Sequence, residues 1–174
     1  MKIKIEDILI FVYMILLLVC VYYIVTSYKW VFRPIPYVKV VSSDKIVKVF
    51  DEIYLPRSEV YDTYYIVYTY DTTIKYLNKA CSKAWDFIEY NNVELAPNKF
   101  DCEDISMLIL SLTRIYLNNV PCFLYNMWNG KNGHVMIACV VYDNDKLKKI
   151  YYDVNCVERK GFKVPKGYYS YIIG

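Results

Sequence analysis

Histidine occurs once in the chain, at His134, so a His-rich metal site is excluded. The six cysteines show no paired spacing and no CxxC. That pattern speaks for reduced thiols rather than a disulfide framework or a zinc site. No run of lysine and arginine is long enough for a nucleic-acid footprint, and the net charge is only +3. Lys148-Lys149 reads as a solvated turn. There is no internal repeat and no low-complexity tract. Tyrosine is abundant instead, at 21 of 174 residues, which suits β-rich structure.

The longest apolar run, Ile8 to Thr26, is ILIFVYMILLLVCVYYIVT, without a charge. Its length predicts a transmembrane helix, with Tyr22, Tyr23, Tyr28 and Trp30 at one interface. A cleaved signal peptide is the alternative, opposed by Glu6-Asp7 in the leader. Lys2 and Lys4 precede the run; Lys29, Arg33 and Lys39 follow it. This asymmetry slightly favours a single-pass protein with its C-terminal domain cytoplasmic.

Three parts are therefore expected: a membrane anchor over 1–28, a juxtamembrane linker over 29–60, and one globular domain over 61–174. Arg33-Pro34-Ile35-Pro36 opens the linker. Ile46, Val49, Phe50 and Ile53 recur at helical spacing and suggest a short helix over Asp44–Tyr54. Val60 to Tyr70 fits strand or helix equally. Ile74, Leu77, Cys81, Trp85 and Ile88 predict a helix from Thr72 to Tyr90.

"FDCEDIS", Phe100 to Ser106, poses the functional question. Asp101 is a good N-cap, and Asp104 three residues later approaches a capping box. Ile105, Leu108, Ile109, Leu112, Ile115 and Tyr116 form the expected buried stripe of the helix that follows. Strands are expected over Val120–Trp128, His134–Tyr142 and Lys149–Val154, with Asp143-Asn144-Asp145 as a hairpin turn. One helix followed by an antiparallel sheet is an α+β plan.

Cys102 falls in the first turn of its helix, where unpaired N–H groups and the positive dipole end favour a thiolate. The neighbouring acids oppose that effect. A thiolate needs a base, and an imidazole needs a group to fix its tautomer. His134 opens one strand and Asp153 lies near the end of the next. Helix start, strand start and strand end thus supply nucleophile, base and orienter in the order Cys, His, Asp. Each alone has a plain reading: a core thiol, a structural histidine, a turn-forming acid.

"FDCEDISMLILSLTRIYLNNVPCFLY" and "NGHVMIACVVYDNDKLKKIYYDVNC" resemble the core of the transglutaminase-like superfamily of papain-like cysteine peptidases. Bacterial transglutaminase-like cysteine proteinases are the nearest branch. The resemblance covers about residues 72 to 156. It implies a nucleophile helix packed on an antiparallel sheet, with Cys102 as nucleophile, His134 as general base and acid, and Asp153 as its orienter. Val154 stands where many relatives carry proline, and Asn119-Val120-Pro121 where they carry Gly-Ile-Pro. The implied activity is hydrolysis of an amide bond in a protein or peptide, needing no metal and no cofactor, with no nucleic-acid partner and a membrane partner through 8–26. Transamidation and an inactive binding module are the alternatives. An oxyanion-hole side chain is expected upstream of Cys102; Asn98 fits best by position, then Asn92. The resemblance also implies calcium binding by Asp101, Glu103 and Asp104 as an alternative, with capping the simpler role for Asp101.

Overall fold

The computed structural model describes residues 12–23, 38–50, 64–96 and 99–173. The chain divides into two compact units, Met1–Ile35 and Pro36–Gly174.

In the first unit, residues 12–23 form helix α1. Among the described residues no helix is long and apolar enough to cross a membrane. The expectation of an N-terminal transmembrane helix is corrected accordingly, and so is the single-pass localisation built on it. The remainder of 8–26 lies outside the described residues.

The second unit is α+β. Its elements are β1 (Val38–Ser42), α2 (Ser43–Val49), β2 (Tyr64–Tyr68), α3 (Tyr70–Tyr90), α4 (Cys102–Tyr116), β3 (Cys122–Trp128), β4 (Gly133–Asp143), β5 (Lys146–Asp153), β6 (Val157–Glu158) and β7 (Tyr169–Ile173). Residues 38–50, expected to be linker, thus belong to the fold. They place Val41, Ile46 and Phe50 in its interior. The ambiguous Tyr-rich segment resolves as strand β2, paired antiparallel with β1. The other sheet is antiparallel in the order β6-β5-β4-β3-β7.

Alternation along β4 divides the core. Val135, Ile137, Cys139 and Val141 join Leu77, Ala80, Ala84, Ile105, Ile109 and Leu110, so α3 and α4 cover that face. Met136, Ala138, Val140 and Tyr142 join Val41, Ile46, Phe50 and Val67 on the other. Three layers result: two helices, the five-stranded sheet, and the two-stranded β1–β2 sheet with α2.

Helix α3 starts at Thr69, whose side chain accepts from the Thr72 amide, and stops at Asn91-Asn92 with Asn92 at φ 49. On α4 the buried residues are Ile105, Ser106, Ile109, Leu110 and Thr113. The stripe is therefore rotated from the expected one. Leu108 and Leu112 sit at its partly buried margin, and Ile115 is 75% exposed.

Cys81 is bonded to Cys156 and Cys122 to Cys139, while Cys20 and Cys102 are free. The expectation of reduced thiols throughout is corrected for four of the six cysteines.

Candidate functional site

Helix α4 begins at Cys102 because Asp101 and Asp104 make a complete capping box. The Asp101 carboxylate accepts from the Glu103 amide at 2.9 Å and from the Asp104 amide. The Asp101 amide donates to Asp104 Oδ2 at 3.1 Å. Four N–H groups at a helix start lack intrahelical acceptors. The box takes those of Asp101, Glu103 and Asp104, and leaves the one on Cys102. Two of the three acids are therefore occupied as caps. Among the described residues no group of His, Cys, Asp and Glu is arranged to hold a metal.

One turn further on, Ser106 is fully buried and donates to the Val135 carbonyl at 3.1 Å. The bond joins α4 to the residue after His134. It fixes the depth at which Cys102 emerges beside β4.

His134 and Asp153 come together across β4 and β5. His134 Nε2 lies 3.3 Å from Asp153 Oδ1, with side-chain exposures of 35% and 3%. The contact is an ion pair only when the ring carries both hydrogens; with a single hydrogen on Nε2, Nδ1 is the nitrogen left to accept a proton. The second carboxylate oxygen is not idle. Arg159 Nε donates to Asp153 Oδ2 at 2.7 Å, and Nη2 of the same guanidinium reaches the same oxygen at 2.5 Å.

Cys102 is partly buried and lines a cleft of about 560 Å³ with Trp85, Leu95, Phe100, Ile105, Gly133 and Val154. Ala96, Asp101, Lys131 and Asn132 complete its wall. Gly133 and Val154 are the chain neighbours of His134 and Asp153. The pair itself has the opposite strand parity. His134 opposes Met127, and Asp153 follows the parity of Tyr151, both members of the cluster away from α4. Among the described residues the Cys102 thiol makes no hydrogen bond to His134. The structure thus joins His134 to Asp153 directly, and brings Cys102 to the same strand ends without a bond between thiol and imidazole.

The end of β5 is held by α3. Trp85 Nε1 donates to the Val154 carbonyl at 2.8 Å, and Cys81 is disulfide-bonded to Cys156. Tyr152 donates to Asn78 Oδ1 at 2.6 Å, and Tyr70 to Glu158 Oε2 at 2.5 Å. The Tyr70 hydroxyl is pushed up to about 12, first by its hydrogen bond to Glu158 and then by burial. Burial also raises Tyr152, to about 12.

Asn98, the preferred oxyanion candidate, lies outside the described residues. Asn92 caps the end of α3 in a left-handed conformation and is exposed. Ser106, Arg159 and Asn126 escaped sequence reasoning. Asn126 is 7% exposed on β3, opposite Val135, and its Nδ2 has no partner among the described residues. For Ser106 the i+4 spacing from Cys102 was a usable signal; Arg159 carried none.

Comparison with family models finds no match for the chain, and comparison with curated proteins finds none either. The transglutaminase-like resemblance therefore rests on the residues themselves.

Proposed function

We propose that the chain is a cysteine hydrolase of transglutaminase-like type, a protease or amidase acting on a protein or peptide. The observation that carries this reading is the His134–Asp153 pair, with its carboxylate buried, at the strand ends that border the Cys102 cleft. In this mechanism the Cys102 thiol gives its proton to His134 and attacks the carbonyl carbon. The Cys102 amide, left over by the capping box, donates to the oxyanion. Collapse of the tetrahedral intermediate breaks the C–N bond, and the imidazolium protonates the departing amine. Water, deprotonated by His134, then cleaves the thioester and returns the thiol. Because thiol and imidazole are not bonded in the free chain, the ring must turn past Gly133 toward the cleft when substrate binds.

That same gap favours a second reading, an inactive domain whose cleft only binds peptides. A thiol-directed acylating probe separates the two, with Cys20 as an internal control because it is the other free cysteine. In the hydrolase, Cys102 reacts at least ~100-fold faster than in His134→Ala, the scale of general-base assistance, while Cys20 is unchanged. Equal rates at Cys102 in both proteins would sink the enzyme reading. Cys102→Ala should lose this labelling altogether.

A further inference from the structure

Asp153 has two carboxylate oxygens and two different partners. Oδ1 faces His134 Nε2, and Oδ2 takes both Nε and Nη2 of Arg159. Arg159 is itself anchored, since its backbone amide donates to the Tyr151 carbonyl at 2.9 Å, two residues before Asp153. A guanidinium is planar and always charged, so two of its donors on one oxygen hold that oxygen in place. A free carboxylate rotates about its terminal torsion between broad wells. This one is held at one end.

We propose that Arg159 is a positioning residue for the His134–Asp153 pair: by taking up Oδ2 it turns Oδ1 toward His134 Nε2 and so selects the imidazole tautomer. The inference rests on the hydrolase reading only for its effect on rate. Its effect on the ring is independent of catalysis. Groups that orient metal ligands from behind cost ~10–100-fold in affinity or activity when removed, and the lower end of that range is the scale expected here. Arg159 touches neither the cleft nor the thiol, so its whole influence passes through Asp153.

The test uses the single histidine. Ring ¹⁵N resonances of the full chain, recorded at alkaline pH where imidazole is neutral, belong to His134 alone. In the native chain the hydrogen sits on Nε2. In Arg159→Ala the two tautomers mix, and acylation of Cys102 slows ~10-fold or more. In Arg159→Lys, which restores the charge but not the two-donor fork, both readouts return only in part. A purely structural role would lower the melting temperature in both variants and leave the ring spectrum of the folded protein alone. An unchanged Nε2–H signal in folded Arg159→Ala overturns the proposal. If the native chain shows no acylation of Cys102, the hydrolase reading fails, and the ring spectra alone decide the role of Arg159.

Discussion

The two disulfides close very different structures. Cys122 and Cys139 oppose each other directly on β3 and β4, at one end of a ladder that runs to Trp128 and Gly133. Their bond duplicates a pairing already made by the backbone. Cys81 and Cys156 join a helix to the turn after β5, where the β5–β6 ladder has only two residue pairs. There the covalent bond belongs to a set of side-chain ties, with Trp85, Asn78 and Tyr70 on one face of α3. The strand that carries His134 holds itself, whereas the acid end of the pair is held from outside the sheet.

Opening the second bond should have the larger effect. Constraining an unfolded loop of the 75-residue separation between Cys81 and Cys156 contributes roughly 4–5 kcal/mol by loop-closure entropy. Cys81→Ala/Cys156→Ala should lose about that much in urea unfolding. Its folded fraction should show mixed His134 tautomers, because the Asp153 turn is slackened. Cys122→Ala/Cys139→Ala closes a separation of only 17 residues and should lose roughly 3 kcal/mol. Its His134 ring spectrum should match the native one. If this in-sheet variant is the one that disturbs the ring, the distinction between the two bonds collapses.

The smallest effect concerns Tyr70, which ties the start of α3 to Glu158. Its hydroxyl titrates at about 12, above the ordinary value of 10.0, because the neutral form donates to Glu158. A raised value stabilises the fold below the unfolded value, and that contribution disappears as the pH climbs from 10 through about 12. Tyr70→Phe should therefore be slightly less stable than the native chain near neutral pH. The gap should close as the pH approaches 12, as read by paired denaturant titrations. A gap that stays constant with pH would mean that the hydrogen bond contributes nothing.

The legible parts of this fold were those written in local pattern. The capping box at Asp101 and Asp104 announced α4, and the alternation from His134 announced β4. The unreadable parts depended on distant partners. Cys81 and Cys156 have no telling spacing because α3 and the β5–β6 turn meet only after the sheet forms. Ser106 and Thr113 look like solvent positions, yet both are buried, bonded to the carbonyls of Val135 and Ile109. Their polarity shifted the expected stripe toward Ile115. Strand β7 follows a Lys-, Gly- and Pro-rich stretch that masks it, and pairing with β3 supplies what its own pattern lacks. At the site, the pairing of His134 with Asp153 across neighbouring strands was readable. Arg159 was not, since nothing in "VERKG" distinguishes it from a surface cation.

The β4–β5 hairpin turns on two residues, Asn144 and Asp145, both with positive φ at 45 and 62, while Asp143 and Lys146 pair across it. Such a two-residue turn matches the twist of its strands and fixes their register. The alignment of His134 with Asp153 is thus stored as a count of residues at the far end of the hairpin. A single inserted residue, absorbed as a slip of β5, puts Tyr152 where Asp153 stood and turns the acid to the other face. Two inserted residues absorbed in the same way restore the parity but bring Tyr151 to that place, with Asp153 two residues along the strand. Lineages that keep the pair are free to change the letters of this turn, but an added residue must stay in the loop rather than enter the ladder.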